Sequence, residues 1–300
     1  MRKFTHTVLT IALLAMTTFV FAGGQQEAGA DKAKEAKLVY VNWEEGVAYT
    51  HLVKAILEDE MGYDVTITAA DVGPAYASVA AGDYDAFMEA WLPGLHATYM
   101  AELGDDLVDL AVIYEGAESG LVVPQYMADD GVTAVSDLRD PEVFDKLDGK
   151  ITGIDAGAGV MITTGEKAMP AYGLDEMGYE LVTSSGPAMM AALDTAVVNN
   201  EYIVVTGWQP HSMFGYYDLV LLDQDEEQIW GTDDIHIIGR VGLKDEKPEL
   251  AQFFDNMELS TSEVGSLIVA ISESNLSTLE AAREWKDANR DVWGDWVPAN

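Results

Sequence analysis

Three tryptophans follow apolar runs at points where polar loops would be expected. They are Trp43 in Asn42-Trp43-Glu44-Glu45-Gly46, Trp91 in Trp91-Leu92-Pro93 and Trp208 in Trp208-Gln209-Pro210. An indole suits such a position only if its face is used. That face is electronegative, so three of them fit a bulky cation that no hydrogen bond can satisfy, such as a quaternary ammonium. A fourth segment, Gly157-Ala158-Gly159-Val160, opens a helical pattern with Thr163 and Thr164 in its first turns. Free backbone N–H groups and the helix dipole make an anion seat there, and glycine permits close approach. Cage and seat together suggest a zwitterion, with its ammonium on the indoles and its carboxylate on the helix. His96 and His211 each follow one of the Trp-x-Pro turns and are candidate additional donors. His51 falls in a helical pattern and His236 in a strand, and neither is assigned a role.

Other chemistries find fewer residues. The chain has no cysteine, which excludes disulfides, thiolate metal sites and a cysteine nucleophile. No Gly-Lys-Ser/Thr is present, and no acidic residue stands about 20 positions beyond the glycines at a second strand end, so nucleotide readings fall away. Glu44 and Glu45 could pass for a glycosidase pair, but adjacent residues point apart, and both read as solvated loop carboxylates. A secreted hydrolase is therefore the different-class alternative. The expectation is a binding protein and no enzyme, with no cofactor and no metal.

The elements that position these residues occur twice. Lys37 opens the apolar strand LVYV and Lys150 opens ITGI. Each strand runs into a candidate loop and then a helical pattern. Met61-Gly62-Tyr63-Asp64 precedes strand VTIT, and Met177-Gly178-Tyr179-Glu180 precedes LVT. Gly73-Pro74 and Gly186-Pro187 each open an Ala-rich helix. Strands Ala86 to Glu89 and Ile203 to Thr206 then lead to Trp91 and Trp208. Gly62 to Trp91 is 29 positions and Gly178 to Trp208 is 30, an agreement that points to an internal repeat. Each unit reads β-α-β-α-β-α, which predicts a mostly parallel sheet with helices on both faces. The fold class is therefore α/β, with two similar lobes. Gly120–Pro124 and Ile235–Gly242 flank the second unit as extended segments and predict a two-stranded hinge. Lobe I is placed at 37–121 plus 238–300 and lobe II at 122–237. The helical patterns near Pro248–Phe254, Ser262–Ser272 and Ser277–Asn289 should return to lobe I. Ligands in open α/β sheets lie at the carboxyl ends of strands, so the four segments can face one interlobe cleft. Trp230, Trp285, Trp293 and Trp296 lack such placement and read as anchors between surface and core.

Composition agrees with a folded, exported protein. The 300 residues are 49% hydrophobic, enough for sizeable cores. With 52 acidic against 16 basic residues the net charge is −36, which repels nucleic acid and anionic membrane surfaces. Carboxylates stay hydrated in brine, where self-repulsion is screened, so a saline habitat would account for the acidity as well as ordinary acidic composition does. Arg2 and Lys3 precede the apolar run Val8 to Ala22, which reads as a signal peptide over 1–22 with cleavage after Ala22. Residues 23–36 read as a flexible leader.

The chain resembles the glycine betaine-binding proteins that deliver osmoprotectants to ABC transporters. The resemblance runs from about Lys37 to Trp285 and rests on YVNWEEGVAYT, AWLPGLH, GLVVPQYM, GIDAGAGVM, TGWQPHSMF and IHIIGRVGL. It implies a type II periplasmic binding-protein fold with ligand in the interlobe cleft. It also implies a trimethylammonium cage of Trp43, Trp91 and Trp208, and carboxylate binding by backbone N–H groups of Gly159 and Val160 and by His96. Proline betaine, carnitine or choline are the alternative ligands. The implied partner is an ABC transporter permease, and the implied form is a monomer in the periplasm. Many members are lipoproteins anchored through a cysteine, and this chain has none.

Overall fold

The computed structural model describes residues 34–225 and 227–299. The signal-peptide expectation and most of the leader lie outside the described residues. The leader's last residues do not fit that reading, because strand β1 begins at Lys34 and Ala36 is buried.

Nine strands form one sheet: β1 Lys34–Tyr40, β2 Tyr63–Ala69, β3 Ala86–Leu92, β4 Leu107–Pro124, β5 Lys150–Thr152, β6 Glu180–Val182, β7 Val205–Gln209, β8 Leu219–Leu221 and β9 Thr232–Arg240. Their order is β2-β1-β3-β9-β4-β7-β5-β6, with β8 beside β4. The internal repeat is visible in this order. β1 lies in parallel register between β2 and β3, and β5 lies in parallel register between β6 and β7. Between the two parallel triplets run β9 and β4, antiparallel to each other and to their outer neighbours. The expected extended segments at 120–124 and 235–242 are the end of β4 and most of β9, but they do not pair with each other as a two-stranded hinge: 120–124 pairs with β7 and β8, while β9 from Ile235 onward pairs with β3 and the first half of β4. β4 is much longer than the sequence suggests, because polar Asp109, Glu115 and Glu118 break its apolar pattern while its backbone still pairs with β9.

Matching turn chemistry explains the repeat. Helix α1, Glu44–Met61, has two acidic residues in its first turn, where the dipole favours them. It stops at Gly62, whose φ of 70° is left-handed and costs glycine little. Gly178 ends the short helix Leu174–Met177 in the same way, with φ 93°. Helix α2, Val72–Ala80, and helix Gly186–Asn199 follow the second strand of each unit. The Ser185 side chain accepts from the Ala188 N–H at 3.4 Å, capping the latter helix.

The carboxy-terminal helices Pro248–Asp255, Thr261–Ser272 and Thr278–Ala288 return to the β1–β3 half. Ser260 with Glu263, and Ser277 with Glu280, form capping boxes at the second and third. Arg283 donates to Glu58 and Asp59 of α1, and Lys286 donates to Asp59 at 2.8 Å. Trp230, Trp285, Trp293 and Trp296 are buried in packing, as their positions suggested.

Candidate functional site

The three cage candidates arrive from three elements. Trp43 is the residue that caps α1, Trp91 lies near the end of β3 and Trp208 near the end of β7. The last two therefore belong to strands and not to loops, which fixes their backbones by pairing. Trp91 stands opposite Ile235 of β9, and Trp208 stands opposite Ser119 of β4. All three indoles are buried, and the rings of Trp43 and Trp208 lie 5.8 Å apart at 52°. They line one cavity with Leu95, His96, Ser119, Ile154, Gly159 and Val160. The structure thus brings all six residues expected at the site to one place. The free space within it is about 10 Å³, room for no more than about one water.

His96 is held in one protonation state. Its Nδ1 accepts from the Trp91 backbone N–H at 3.1 Å, and the Tyr76 hydroxyl lies 3.4 Å from the same nitrogen. Burial pushes its pKa down to about 3, so the ring is neutral. With Nδ1 accepting, the proton sits on Nε2, which is buried and has no partner. A buried donor without an acceptor, on the cavity wall, is free to serve a hydrogen-bond acceptor that enters the cavity.

Gly159 and Val160 are the first residues of helix Gly159–Thr163, so their N–H groups have no partner within it. The helix continues through a π-turn, Thr164–Ala168. Gly159 sits tightly against Leu95: a Cβ there would stand 2.4 Å from the Leu95 Cβ and 2.5 Å from its carbonyl oxygen. Only glycine permits this approach. The same contact surface is tied by the Tyr99 hydroxyl, which donates to the Gly157 carbonyl at 2.8 Å. Asp233 accepts from the N–H groups of Gly94 and Leu95 and so fixes the turn between Trp91 and His96.

His211 is not brought to the cavity. Its ring packs T-shaped against Trp208 with centroids 4.7 Å apart, and its Nδ1 accepts from the Met213 N–H at 3.1 Å. Glu44 lies 3.4 Å from that nitrogen and accepts from the Ser212 N–H at 3.1 Å. Burial pushes the His211 pKa down, so the ring supports Trp208 as a neutral group. His51 bonds to its own helix through the Val47 carbonyl, and His236 pairs with Asp109.

Two features escaped sequence reasoning. Ser119 lines the cavity with a buried, unpartnered hydroxyl, a placement that depends on the β4–β7 register. Glu45, read as a solvated loop carboxylate, is fully buried in the first turn of α1, together with Glu89 of β3. Desolvation pushes Glu45 up to about 7 and Glu89 well above its usual range. The reason is that α1 packs its first turn inward against β3, which a local pattern does not reveal. Glu44 alone keeps substantial exposure. Among the described residues no cluster of three or more His, Cys, Asp or Glu is placed to hold a metal ion. No helix among them is long and apolar enough to cross a membrane.

Comparison with known proteins places the chain in a family. Residues 34–288 match the family described as the substrate binding domain of ABC-type glycine betaine transport systems. A glycine betaine/carnitine transport binding protein of Listeria monocytogenes is 37% identical over 156 residues, 52% of this chain and 51% of that protein. The alignment thus spans about half the length of that relative. Among solved structures, lactococcal OpuAC closed on glycine betaine shares 34% identity with a TM-score of 0.80, covering 88% of this chain and all of that one. The glycine betaine/L-proline-binding protein ProX of Borrelia burgdorferi shares 34% identity with a TM-score of 0.82, covering 88% of this chain and 97% of that one.

Proposed function

Since the chain belongs to the family of substrate-binding domains of ABC-type glycine betaine transport systems, we propose that it captures glycine betaine and hands it to an ABC permease. In this reading Trp43, Trp91 and Trp208 hold the trimethylammonium. The N–H groups of Gly159 and Val160 and the Nε2–H of His96 hold the carboxylate. The observation that carries the reading is the convergence of three buried indoles, an unpartnered imidazole donor and a helix start on one cavity. Cation and anion partners on the walls of one small site select a short zwitterion.

The energetics are sufficient. Three desolvated cation–π contacts contribute about 2 kcal/mol each. Two or three charge-assisted hydrogen bonds add about 1.5–3 kcal/mol each. Together these exceed the roughly 8 kcal/mol of a micromolar complex, and the surplus offsets lost ligand freedom and closure. The cavity is tight, so ligand entry requires its walls to part. The two parallel triplets of the sheet, joined through β4 and β9, are the bodies that would move, with the crossing near Glu118 and Thr232, where β4 passes from β9 to β7, in place of boundaries at 121–122 and 237–238. The protein would act as a periplasmic monomer after removal of residues 1–22.

The test is calorimetric titration against glycine betaine, proline betaine, carnitine, choline and free amino acids. The expected result is one site that takes glycine betaine without turnover and ignores ordinary amino acids. Heat from choline or carnitine alone would reassign the ligand, and no heat from any quaternary ammonium would overturn the reading.

A further inference from the structure

Two carboxylates beside the cage have no part in the capture step described above. Glu45 follows Trp43 by two residues, and Glu89 precedes Trp91 by two. Both are fully buried. The Glu89 carboxylate presses on α1 at Gly46, where a Cβ would stand 1.9 Å from Oε2. Glu89 also sits where β3 carries an extra residue: Phe87 pairs with Ile238 and Ala90 with His236, so three steps on β3 meet two on β9. Such bulges re-aim side chains. None of the four carboxylate oxygens has a hydrogen-bond partner, so no cationic side chain satisfies either group.

The surroundings leave a negative charge uncompensated. The indole N–H of Trp208 faces Glu45 without closing a hydrogen bond, and the Tyr49 hydroxyl on α1 faces Glu89 in the same way. Tyr114 of β4 faces both carboxylates, with its ring 6.4 Å from that of Tyr49. Glu44 adds like charge from its neighbouring position. Asp155 lies beside Trp43. Burial holds His96 neutral and pushes the His211 pKa down, so neither is a source of positive charge near neutrality. Two buried carboxyls in contact cannot both ionise cheaply and share protons as a unit.

We propose that Glu45 and Glu89 form a proton-sharing pair that sets the charge selectivity of the cage: with one proton its negative charge draws the cationic end of the ligand, and with two it does not. The inference rests on the capture reading and names the residues that would tune it. The cation, once seated on Trp208, favours the ionised pair and expels its second proton. Glycine betaine itself has no group that titrates near neutrality, so any proton released comes from the protein. Tyr49 and Tyr114 are pushed upward by burial and keep their protons throughout.

The experiment is titration of the full chain with glycine betaine from pH 5.5 to 8.5, in buffers of different ionisation enthalpy. Wild type should release a fraction of a proton, greatest below about pH 7, and bind about three- to tenfold more tightly at the alkaline end. Glu45→Gln, which keeps shape, should bind more weakly at pH 8.5 and lose both the release and the slope. Glu89→Gln should retain a release but move it to lower pH, because the remaining carboxyl no longer shares. A melt of each variant confirms folding. Strong wild-type binding with no proton release, or a release unchanged in Glu45→Gln or in Glu89→Gln, would overturn the pair while leaving the capture reading intact. Absence of wild-type binding at every pH would instead remove the capture reading itself.

Discussion

The turns after β3 and β7 are built alike and end differently. Both carry tryptophan one residue before the strand end, both turn at a cis X–Pro bond, and both place a histidine whose Nδ1 accepts a backbone N–H. Five positions separate Trp91 from His96, but only three separate Trp208 from His211. The longer turn, braced by Asp233, carries His96 over to the cavity wall with Nε2–H free. The shorter one folds His211 back against its own tryptophan in a T-shaped contact, beside Glu44. A duplicated unit has thus diverged by two residues, and that difference separates a candidate ligand donor from a buttress.

The largest expected effect tests this division directly. His96→Ala should remove one hydrogen bond to a charged acceptor and weaken glycine betaine by about 1.5–3 kcal/mol. Choline has no carboxylate, so its binding should change far less. Equal losses for both ligands, or a greater glycine betaine loss in His211→Ala, would reverse the roles given to the two turns.

Next in size, Trp91→Ala and Trp208→Ala should each weaken glycine betaine by at least about 1.4 kcal/mol, or tenfold. Phenylalanine should restore part of it by keeping a π-face. His211→Ala should cost less, about 0.5–1.5 kcal/mol, through loss of the edge contact that steadies Trp208. Fluorescence titration of these variants distinguishes a shared cage from unequal tryptophans, and wild-type affinity in both Trp→Ala proteins would remove them from it.

The smallest effect is on stability. The His96 pKa is depressed in the fold to about 3. Its contribution is present above the unfolded value near 6.5 and is lost as pH falls from there towards about 3. Glu45 is raised to about 7, so its contribution is present below the ordinary carboxyl range and is lost as pH rises towards 7. Thermal melts should therefore show a shallower acid-side decline in His96→Gln and a shallower neutral-side decline in Glu45→Gln. His211 is also pushed down, so His211→Gln serves as the parallel case on the other turn. Unaltered slopes in His96→Gln would mean that its burial does not govern the acid side.

Much of this molecule was legible before folding. The Met-Gly-Tyr turns, the Gly-Pro helix starts and the Trp-x-Pro strand ends are local signals, set by φ, by capping and by short-range pattern, so their repetition announced two α/β units. The three tryptophans and Gly159 stood out because indoles and paired glycines at strand ends are chemically unusual. Residue type and spacing left both histidines open and only the family resemblance favoured His96; the physical reason is tertiary, since a five-residue and a three-residue turn look alike until β9 supplies Asp233 to one of them. Tertiary structure alone placed Ser119, whose partner Trp208 lies 89 positions away and is set by strand register. It also reversed the reading of Glu45, because burial of a charge depends on what packs over it, and here that is Glu89 and Tyr114, far along the chain.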